Sequence, residues 1–276
     1  MKIKKYSGEE VQFDQEKLIR SLMASGTTRE IALEVINEIT PKLYEGISSR
    51  KIFRLAFQRL KNRSKATAAR YNLKSGIKAL GPAGFYFEKF IARIFELEGY
   101  QARTNVFVEG RCISHELDVV IKNGNHVAMA ECKFHSNQEI KTDVKVPMYI
   151  LSRFNDVNQK RYDFFSGGSD MISKCWLVTN NKFTTDALDF ANCVGLSLMS
   201  WDYPEGESLR DRINKFNVYP ITCLTTLTMA EKEILLMQDV LTVYDLMHFG
   251  KAFSVLKLSQ SRMKNVKQEC TQLLNR

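Results

Sequence analysis

The first 80 residues alternate apolar and polar positions in a way that is typical of a short strand pair followed by helices. The strand pair turns at Ser7-Gly8, and Asp14 is placed to cap the first helix. Apolar residues then recur every three to four positions, and the last such run covers residues 66–77. The cluster Gly81-Pro82-Ala83-Gly84 ends the pattern. We therefore predict a domain made of a β-hairpin plus helices over residues 1–80.

A second pattern begins at residue 85 with an apolar helix that carries the carboxylate of Glu88 on its apolar face. A carboxylate in that position needs a partner or a function. Alternating runs follow, and Asn123-Gly124 between two of them is a strong hairpin signal. The predicted strands cover about residues 101–108, 111–122 and 125–134.

The hairpin predicts a cluster of charged side chains. A two-residue turn would pair Lys122 with Asn125, and strand alternation would then place four charged residues on one face. These four are Glu116, Asp118, Glu131 and Lys133. The carboxylates of Asp118 and Glu131 would be diagonal neighbours, roughly 7–8 Å apart at the backbone, and could reach one Mg²⁺. Crowded carboxylates repel each other without a cation, so the pattern favours a metal site over a packing role.

A strand, a helix and a strand over residues 174–200 complete a mixed sheet flanked by helices, and residues 217–276 read as a small helical module. The predicted fold class is α/β in the multidomain α+β sense. Its domains are residues 1–80, 84–203 and 217–276. The last module is similar to helix-hairpin-helix modules in its order of short helices, but it lacks their glycine signature, and a packing or oligomerisation element is an equal alternative.

Charge is distributed unevenly along the chain. Residues 1–80 contain 17 basic residues (Lys and Arg) and 8 acidic residues (Asp and Glu), whereas the remaining residues contain 23 basic and 23 acidic residues. The stretch between Glu45 and Glu88 holds ten basic residues and no acidic one. This predicts a polyanionic partner, either a nucleotide or a nucleic acid, with a solvated helix face as the alternative.

The rest of the composition narrows the class of protein. The six cysteines form no Cys-x-x-Cys pair, so we expect small core residues in a reducing compartment rather than a zinc site or disulfides. No apolar run is long enough to span a membrane, and the first residues lack the apolar segment of a signal peptide. We expect a cytoplasmic protein without a membrane partner that assembles as a homo-oligomer.

The N-terminal segment resembles an ATP-cone. The likeness rests on Lys4-Lys5-Tyr6-Ser7-Gly8, on Phe13-Asp14 followed by Lys17-Leu18, and on Ala68-Ala69-Arg70-Tyr71. It implies that Lys4, Lys5 and Lys17 hold the phosphates of ATP or dATP. Where the family usually has Lys-Arg-Asp-Gly, this chain has Lys-Tyr-Ser-Gly.

The central segment resembles the PD-(D/E)xK core of Mrr-type restriction endonucleases and archaeal-type junction resolvases. The likeness rests on His115-Glu116-Leu117-Asp118 and on Ala130-Glu131-Cys132-Lys133, and it extends to Trp201. It implies that Asp118, Glu131 and the main-chain carbonyl of Cys132 hold Mg²⁺ or Mn²⁺, and that Lys133 stabilises the charge that develops at the phosphate. Glu88 would be a further catalytic residue, as a metal ligand directly or through water. Glu116 stands where the simplest version of the pattern can have an apolar residue, and a second metal ligand and a salt-bridge partner are its two alternative roles. His115, on the other strand face, is interpreted as a packed or hydrogen-bonded residue.

These patterns together predict a metal-dependent DNA endonuclease that responds to ATP or dATP. Two alternatives remain at this point. One is a catalytically silent, nuclease-like protein that only binds nucleic acid. The other is a nucleotide-responsive regulator whose output is oligomerisation.

Overall fold

The computed structural model describes residues 1–5, 7–81, 84–137, 139–166, 168–250 and 252–275. The chain folds into two compact units. The first combines Met1–Gly76 with Tyr219–Arg276, and the second comprises Ile77–Val218. Pro82 and Ala83, in the predicted boundary cluster, and Tyr6, in the ATP-cone motif, lie outside the described residues.

The first unit opens with a three-stranded sheet and a set of helices. The strands are β1 (Lys2–Lys4), β2 (Glu10–Gln12) and β3 (Ile47–Ser48), in the order β2-β1-β3. The helices are α1 (Gln15–Met23), α2 (Arg29–Ile39), α3 (Ser49–Arg63), α4 (Lys65–Tyr71) and α5 (Leu73–Lys78). Asp14 caps α1 by accepting a hydrogen bond from Lys17 N, as predicted. The helix predicted over residues 66–77 is two helices, because Asn72 ends α4.

The C-terminal segment belongs to this first unit. It contributes α10 (Met229–Met237), α11 (Val243–His248) and α12 (Gln260–Leu274). Arg70 donates to the carbonyls of Gln272 and Leu273 at the end of α12, where a cation also complements the helix dipole. Thr222 Oγ1 donates to the carbonyl of Gly76 at 2.6 Å. These contacts pack the module against the helices of the N-terminal segment.

Several of the basic residues between Glu45 and Glu88 are engaged within the same unit. Arg59 and Arg63 of α3 form ion pairs with carboxylates of α2, and Lys61 donates to the carbonyl of Thr225 at 3.1 Å. Part of the charge that predicts a polyanionic partner therefore stabilises the fold instead.

The second unit is a five-stranded mixed sheet with helices. Its elements are α6 (Phe85–Leu97), β4 (Gln101–Glu109), β5 (Ser114–Asn123), β6 (His126–Lys133), α7 (Lys145–Val157), β7 (Ile172–Thr179), α8 (Thr185–Val194), β8 (Ser197–Met199) and α9 (Leu209–Lys215). The strands follow chain order, with β4, β5 and β6 antiparallel and β6, β7 and β8 parallel. This is the mixed sheet flanked by helices that the sequence predicts.

Helices cover both faces of this sheet. Cys175 and Leu177 of β7 belong to a buried apolar cluster that includes residues of α7 and α8. Trp176, between them, meets Phe95 of α6 with ring centroids 5.8 Å apart. Because neighbours on a strand point to opposite faces, α6 covers one face and α7 with α8 covers the other.

The hairpin register differs from the prediction. Lys122 pairs with Val127, not with Asn125, so the turn is Gly124-Asn125 rather than Asn123-Gly124. Gly124 has a φ of 57°, a conformation that glycine adopts without strain. The predicted register is wrong by two residues. A shift of two preserves which residues share a face, so the predicted grouping of charged residues does not depend on it.

Two expectations about the whole chain can be compared with the structure. All six cysteines are free, but only Cys175, Cys223 and Cys270 are buried, whereas Cys112 and Cys193 are exposed rather than in the core. Among the described residues, none of the helices combines the length and the apolar composition needed to cross a bilayer.

Candidate active site

Asp118 lies in the middle of β5 and is tied to the neighbouring strand. Its Oδ2 accepts a hydrogen bond from the main-chain N–H of Cys132 at 2.7 Å. Val119–Ala130 is the last pair of the ladder between β5 and β6, and Asp118 and Glu131 are the next residues on the two strands. The two carboxylates predicted to hold a metal therefore lie on adjacent strands, next to the end of this ladder.

Glu131 is buried, with 7% of its surface exposed, and its Oε1 accepts a hydrogen bond from Arg153 Nη2 of α7 at 3.2 Å. The same Nη2 also donates to the main-chain carbonyl of Glu116. The structure therefore places Arg153 against a candidate metal ligand.

The side-chain amide of Asn105 lies between the carboxylates of Glu88 and Glu116. Asn105 Nδ2 lies 3.3 Å from Glu88 Oε2 and 3.3 Å from Glu116 Oε1. Asn105 has a φ of 53° within β4, a left-handed conformation that asparagine tolerates better than most residues. Gly84, at the N-cap of α6, also lies close, since a Cβ there would be 3.3 Å from Glu88 Oε1. The helix start and the strand distortion thus place Glu88 beside the hairpin.

The electrostatics of this group are unfavourable without a cation. Burial and the neighbouring Asp118 raise the pKa of Glu131 to about 8, although Arg153 opposes the shift. Burial and Asp118 likewise raise the pKa of Glu88 to about 7. The pKa of Asp118 is raised by burial as well, while the N–H of Cys132 and the charge of Arg153 oppose the shift. These shifts indicate negative charge that protein partners compensate only in part.

The donor set fits Mg²⁺ or Mn²⁺ better than a metal held by protein alone. In the described residues, no group of three or more His, Cys, Asp or Glu side chains is arranged to hold a metal ion. Mg²⁺ is usually bound by one or two carboxylates, with water and substrate phosphate as the remaining ligands. Asp118 and Glu131, with the carbonyl of Cys132, could supply such a partial set. A bound cation would offset the burial and repulsion that raise the pKa values of the two carboxylates.

Lys133 is the last residue of β6, and its side chain is exposed. Its charge lies near enough to lower the pKa of Asp118. Its carbonyl accepts a hydrogen bond from the buried Thr179 Oγ1 at 2.8 Å. Just beyond, His135 and Asn180 form a reciprocal pair, His135 N to Asn180 Oδ1 at 2.8 Å and Asn180 Nδ2 to His135 O at 2.9 Å. The main chain around Lys133 is therefore held from the neighbouring strand.

His115, near the start of β5, is hydrogen-bonded to α7. Its Nε2 lies 2.8 Å from Asp156 Oδ2 of α7, and Asp156 also accepts hydrogen bonds from the main-chain N–H groups of Cys112 and Ile113. The imidazole and these N–H groups lower the pKa of Asp156. His115 is a buried, hydrogen-bonded residue that anchors the loop before β5.

The predicted nucleotide-binding lysines lie in the first unit. Lys4 ends β1, Lys17 lies in the first turn of α1, and both side chains are exposed. Lys5 Nζ forms an exposed ion pair with Glu9 at 2.9 Å. A phosphate would have to compete for Lys5 with this carboxylate, which is a weak competitor at the surface.

Sequence reasoning missed Asn105 altogether and did not connect Arg153 with Glu131. A single asparagine within the alternating apolar and polar residues of β4 is only a weak signal that the strand is distorted. Nothing in the sequence paired residue 153 with residue 131.

Three protein families match successive segments of the chain. Residues 1–75 match the ATP cone domain family, and residues 82–203 match the restriction endonuclease family designated Mrr_cat. Residues 219–274 match the AF1548-like C-terminal family. The chain is therefore an ATP-cone fused to an Mrr-type restriction-endonuclease-like domain, which confirms the predicted resemblance and fold class.

Two similar proteins establish the family to which the whole chain belongs. An uncharacterized protein of Archaeoglobus fulgidus is 37% identical over 145 residues, which is 52% of this chain and 75% of the relative. A solved structure, described as the crystal structure of protein of unknown function AF1548, has 30% identity and a TM-score of 0.56. The match covers 69% of this chain and 97% of that one. The chain belongs to the AF1548-like family.

Proposed function

We propose that this protein is a Mg²⁺-dependent DNA endonuclease of the Mrr-like restriction type, which hydrolyses phosphodiester bonds and responds to ATP or dATP. The observation that carries the proposal is the group of carboxylates around Asp118, on adjacent strands and with raised pKa values, beside the exposed Lys133. The restriction-endonuclease-like domain gives this group a precedent as a site for phosphate chemistry.

Asp118, Glu131 and the carbonyl of Cys132 would hold Mg²⁺ or Mn²⁺. When bound, the metal supplies a Lewis acid that lowers the pKa of water and orients it toward the phosphorus atom. Glu88 and Glu116, linked by Asn105, add negative charge and would hold a water molecule in the site by hydrogen bonds. Glu116 is exposed, so it would act at the rim of the site.

Lys133 would contact the scissile phosphate. Its exposed ammonium can approach a substrate, while the hydrogen bond from Thr179 to its carbonyl fixes the strand that carries it. A cation placed in advance stabilises the negative charge that increases in the transition state. This assigns the catalytic roles to Asp118, Glu131, Lys133 and Glu88.

The ATP-cone would bind ATP or dATP through Lys4, Lys5 and Lys17 and would regulate cleavage. All three side chains are exposed, and the N-terminus of α1 adds main-chain N–H groups that favour a phosphate. We further propose that the protein acts in the cytoplasm and self-associates. The six free cysteines are compatible with a reducing compartment.

The test is cleavage of supercoiled plasmid and of a panel of branched DNA by wild type and Asp118→Asn. Each reaction is run with Mg²⁺ or EDTA, and with or without ATP and dATP. Asp189→Asn is the matched control, because Asp189 is exposed on α8 and loses the same charge. We expect metal-dependent cutting by wild type and by the control, and none by Asp118→Asn.

Other outcomes would separate the alternatives. DNA binding without cutting of any substrate would favour the catalytically silent nuclease-like protein. A change of molecular size with nucleotide, again without cutting, would favour the oligomerising regulator.

A further inference from the structure

We infer that Arg153 of α7 is a positioning residue that fixes the carboxylate of Glu131 as a metal ligand. The inference rests on the proposed function, since it concerns the same site. It adds a residue outside the Asp…Glu-x-Lys pattern and gives helix α7 a part in the reaction.

The guanidinium of Arg153 is held at three points. Nη2 donates to the main-chain carbonyl of Glu116 in β5 and to Glu131 Oε1 in β6 at 3.2 Å. Nη1 donates to Tyr149 Oη, one turn earlier in α7, at 3.1 Å. Only 16% of the Arg153 side chain is exposed, and its hydrogen bond to Glu131 is partly buried, whereas the bonds to Glu116 and Tyr149 lie at the surface. One side chain therefore links α7 with both strands of the site.

Two of these three anchors do not involve a candidate metal ligand side chain. The carbonyl of Glu116 is main chain, and Tyr149 belongs to the same helix as Arg153. The position of the guanidinium is thus set by the scaffold, and Glu131 is oriented against it. When a hydrogen bond fixes one oxygen of a ligand carboxylate, the other oxygen is oriented to bind the metal.

The remaining oxygen of Glu131 is available for that purpose. In the part of the chain that the structure describes, Oε1 is engaged by Arg153 and Oε2 makes no hydrogen bond or ion pair. The same is true of Asp118, whose Oδ2 is engaged by Cys132 N and whose Oδ1 has no such partner among the described residues. Each carboxylate is therefore fixed through one oxygen.

Lysine cannot reproduce this arrangement. Its ammonium carries the same charge as arginine, but it is a compact group on a flexible stem and lacks the planar fork that reaches Glu116, Glu131 and Tyr149 together. Arg153→Lys therefore separates orientation from charge. A loss of charge alone would confuse the result, because removing a cation near a metal site also favours metal binding.

The experiment measures Mn²⁺ binding by electron paramagnetic resonance of the free ion, and cleavage as a function of Mn²⁺ concentration, for the full chain. The variants are Arg153→Lys and Tyr149→Phe, which removes one anchor and leaves the arginine in place. Arg161→Lys is the matched control, because Arg161 bonds to Ser169 and not to the site. Thermal unfolding verifies that each variant is folded.

We expect Arg153→Lys to bind Mn²⁺ about 10- to 100-fold more weakly. Tyr149→Phe should weaken binding by about 2- to 10-fold. Cleavage by Arg153→Lys should recover in large part at saturating Mn²⁺, which a general loss of structure would not allow. Arg161→Lys should behave as wild type. If Arg153→Lys does not fold, the Tyr149→Phe result decides.

Mn²⁺ binding and metal dependence equal to wild type in both variants, with a wild type that binds and cuts, would overturn the inference and leave the proposed function standing. A wild type that binds Mn²⁺ without cutting would defeat the proposed function, and the role of Arg153 would then be judged on Mn²⁺ binding alone. A wild type that neither binds Mn²⁺ nor cuts would overturn both.

Discussion

Two buried glutamates in this protein have opposite surroundings. Glu269 of α12, in the first unit, has 1% of its surface exposed. It accepts hydrogen bonds from the main-chain N–H groups of Thr225 and Thr226 at 2.8 and 2.9 Å and from Thr226 Oγ1 at 2.5 Å. Glu131, in the second unit, accepts a hydrogen bond from Arg153 at 3.2 Å and lies close to the carboxylate of Asp118.

The difference is the one expected between a structural carboxylate and a functional one. Both oxygens of Glu269 are satisfied by groups that would otherwise be unpaired when buried, so its burial stabilises the fold. Glu131 raises the free energy of the metal-free fold, because its charge is desolvated and repelled by Asp118. A cluster that costs stability is typical of a site maintained for binding or catalysis.

The largest effect should come from Asp118→Asn. We expect cleavage to fall by about 10³-fold or more, because the neutral amide is a poor metal ligand. Stability of the metal-free protein should stay the same or rise, since a repelling charge is removed. Thermal unfolding in EDTA and plasmid cleavage measure the two quantities. A strongly destabilised Asp118→Asn protein would contradict the comparison.

Glu269→Ala should instead lower the stability of the metal-free protein. We expect a loss of about 2–4 kcal/mol in the free energy of unfolding, because two main-chain N–H groups and a hydroxyl lose their buried acceptor. Urea unfolding measures the loss. Glu233→Ala, an exposed glutamate on α10, is the control and should change little. A stable Glu269→Ala protein would mean that this carboxylate is not structural.

The pH dependence of stability should sharpen the comparison. The pKa of Glu131 is raised to about 8 from an ordinary value of 4.5, so the folded protein binds a proton that the unfolded chain has lost. The metal-free protein should therefore lose stability as the pH rises between these two values, and little beyond them. Melting temperatures in EDTA should fall over this range for wild type and less for Glu131→Gln. Mg²⁺ should reduce the slope, and an identical slope in both proteins would refute the assignment.

Asn105 should give the smallest effect. Asn105→Gly keeps the left-handed backbone but removes the amide between Glu88 and Glu116, and we expect cleavage to fall about 2- to 10-fold. Asn105→Ala should add a loss of about 1 kcal/mol in stability, because alanine is strained at a positive φ. Cleavage rates and urea unfolding of the two variants distinguish the amide from the backbone. Equal stability of the two variants would show that the backbone is not strained.

Much of the fold and part of the site could be predicted from local sequence. The helix cap at Asp14, the hairpin near Asn123-Gly124 and the order of Asp118, Glu131 and Lys133 follow from turn chemistry and alternation over a few residues. Alternation sets which residues of one strand share a face, and an error of two residues in the register leaves the predicted grouping across the two strands unchanged.

Only the tertiary structure decided which distant groups meet. Arg153 reaches Glu131 because α7 packs across the sheet, and Arg70 caps α12 because the C-terminal segment returns to the N-terminal domain. These partners are separated by 22 and 202 residues, and no local pattern relates them. The sequence determined the elements and the residue types of the site. Packing determined which charges are buried and which groups they meet, and the crowding of carboxylates with raised pKa values around Asp118 is the result.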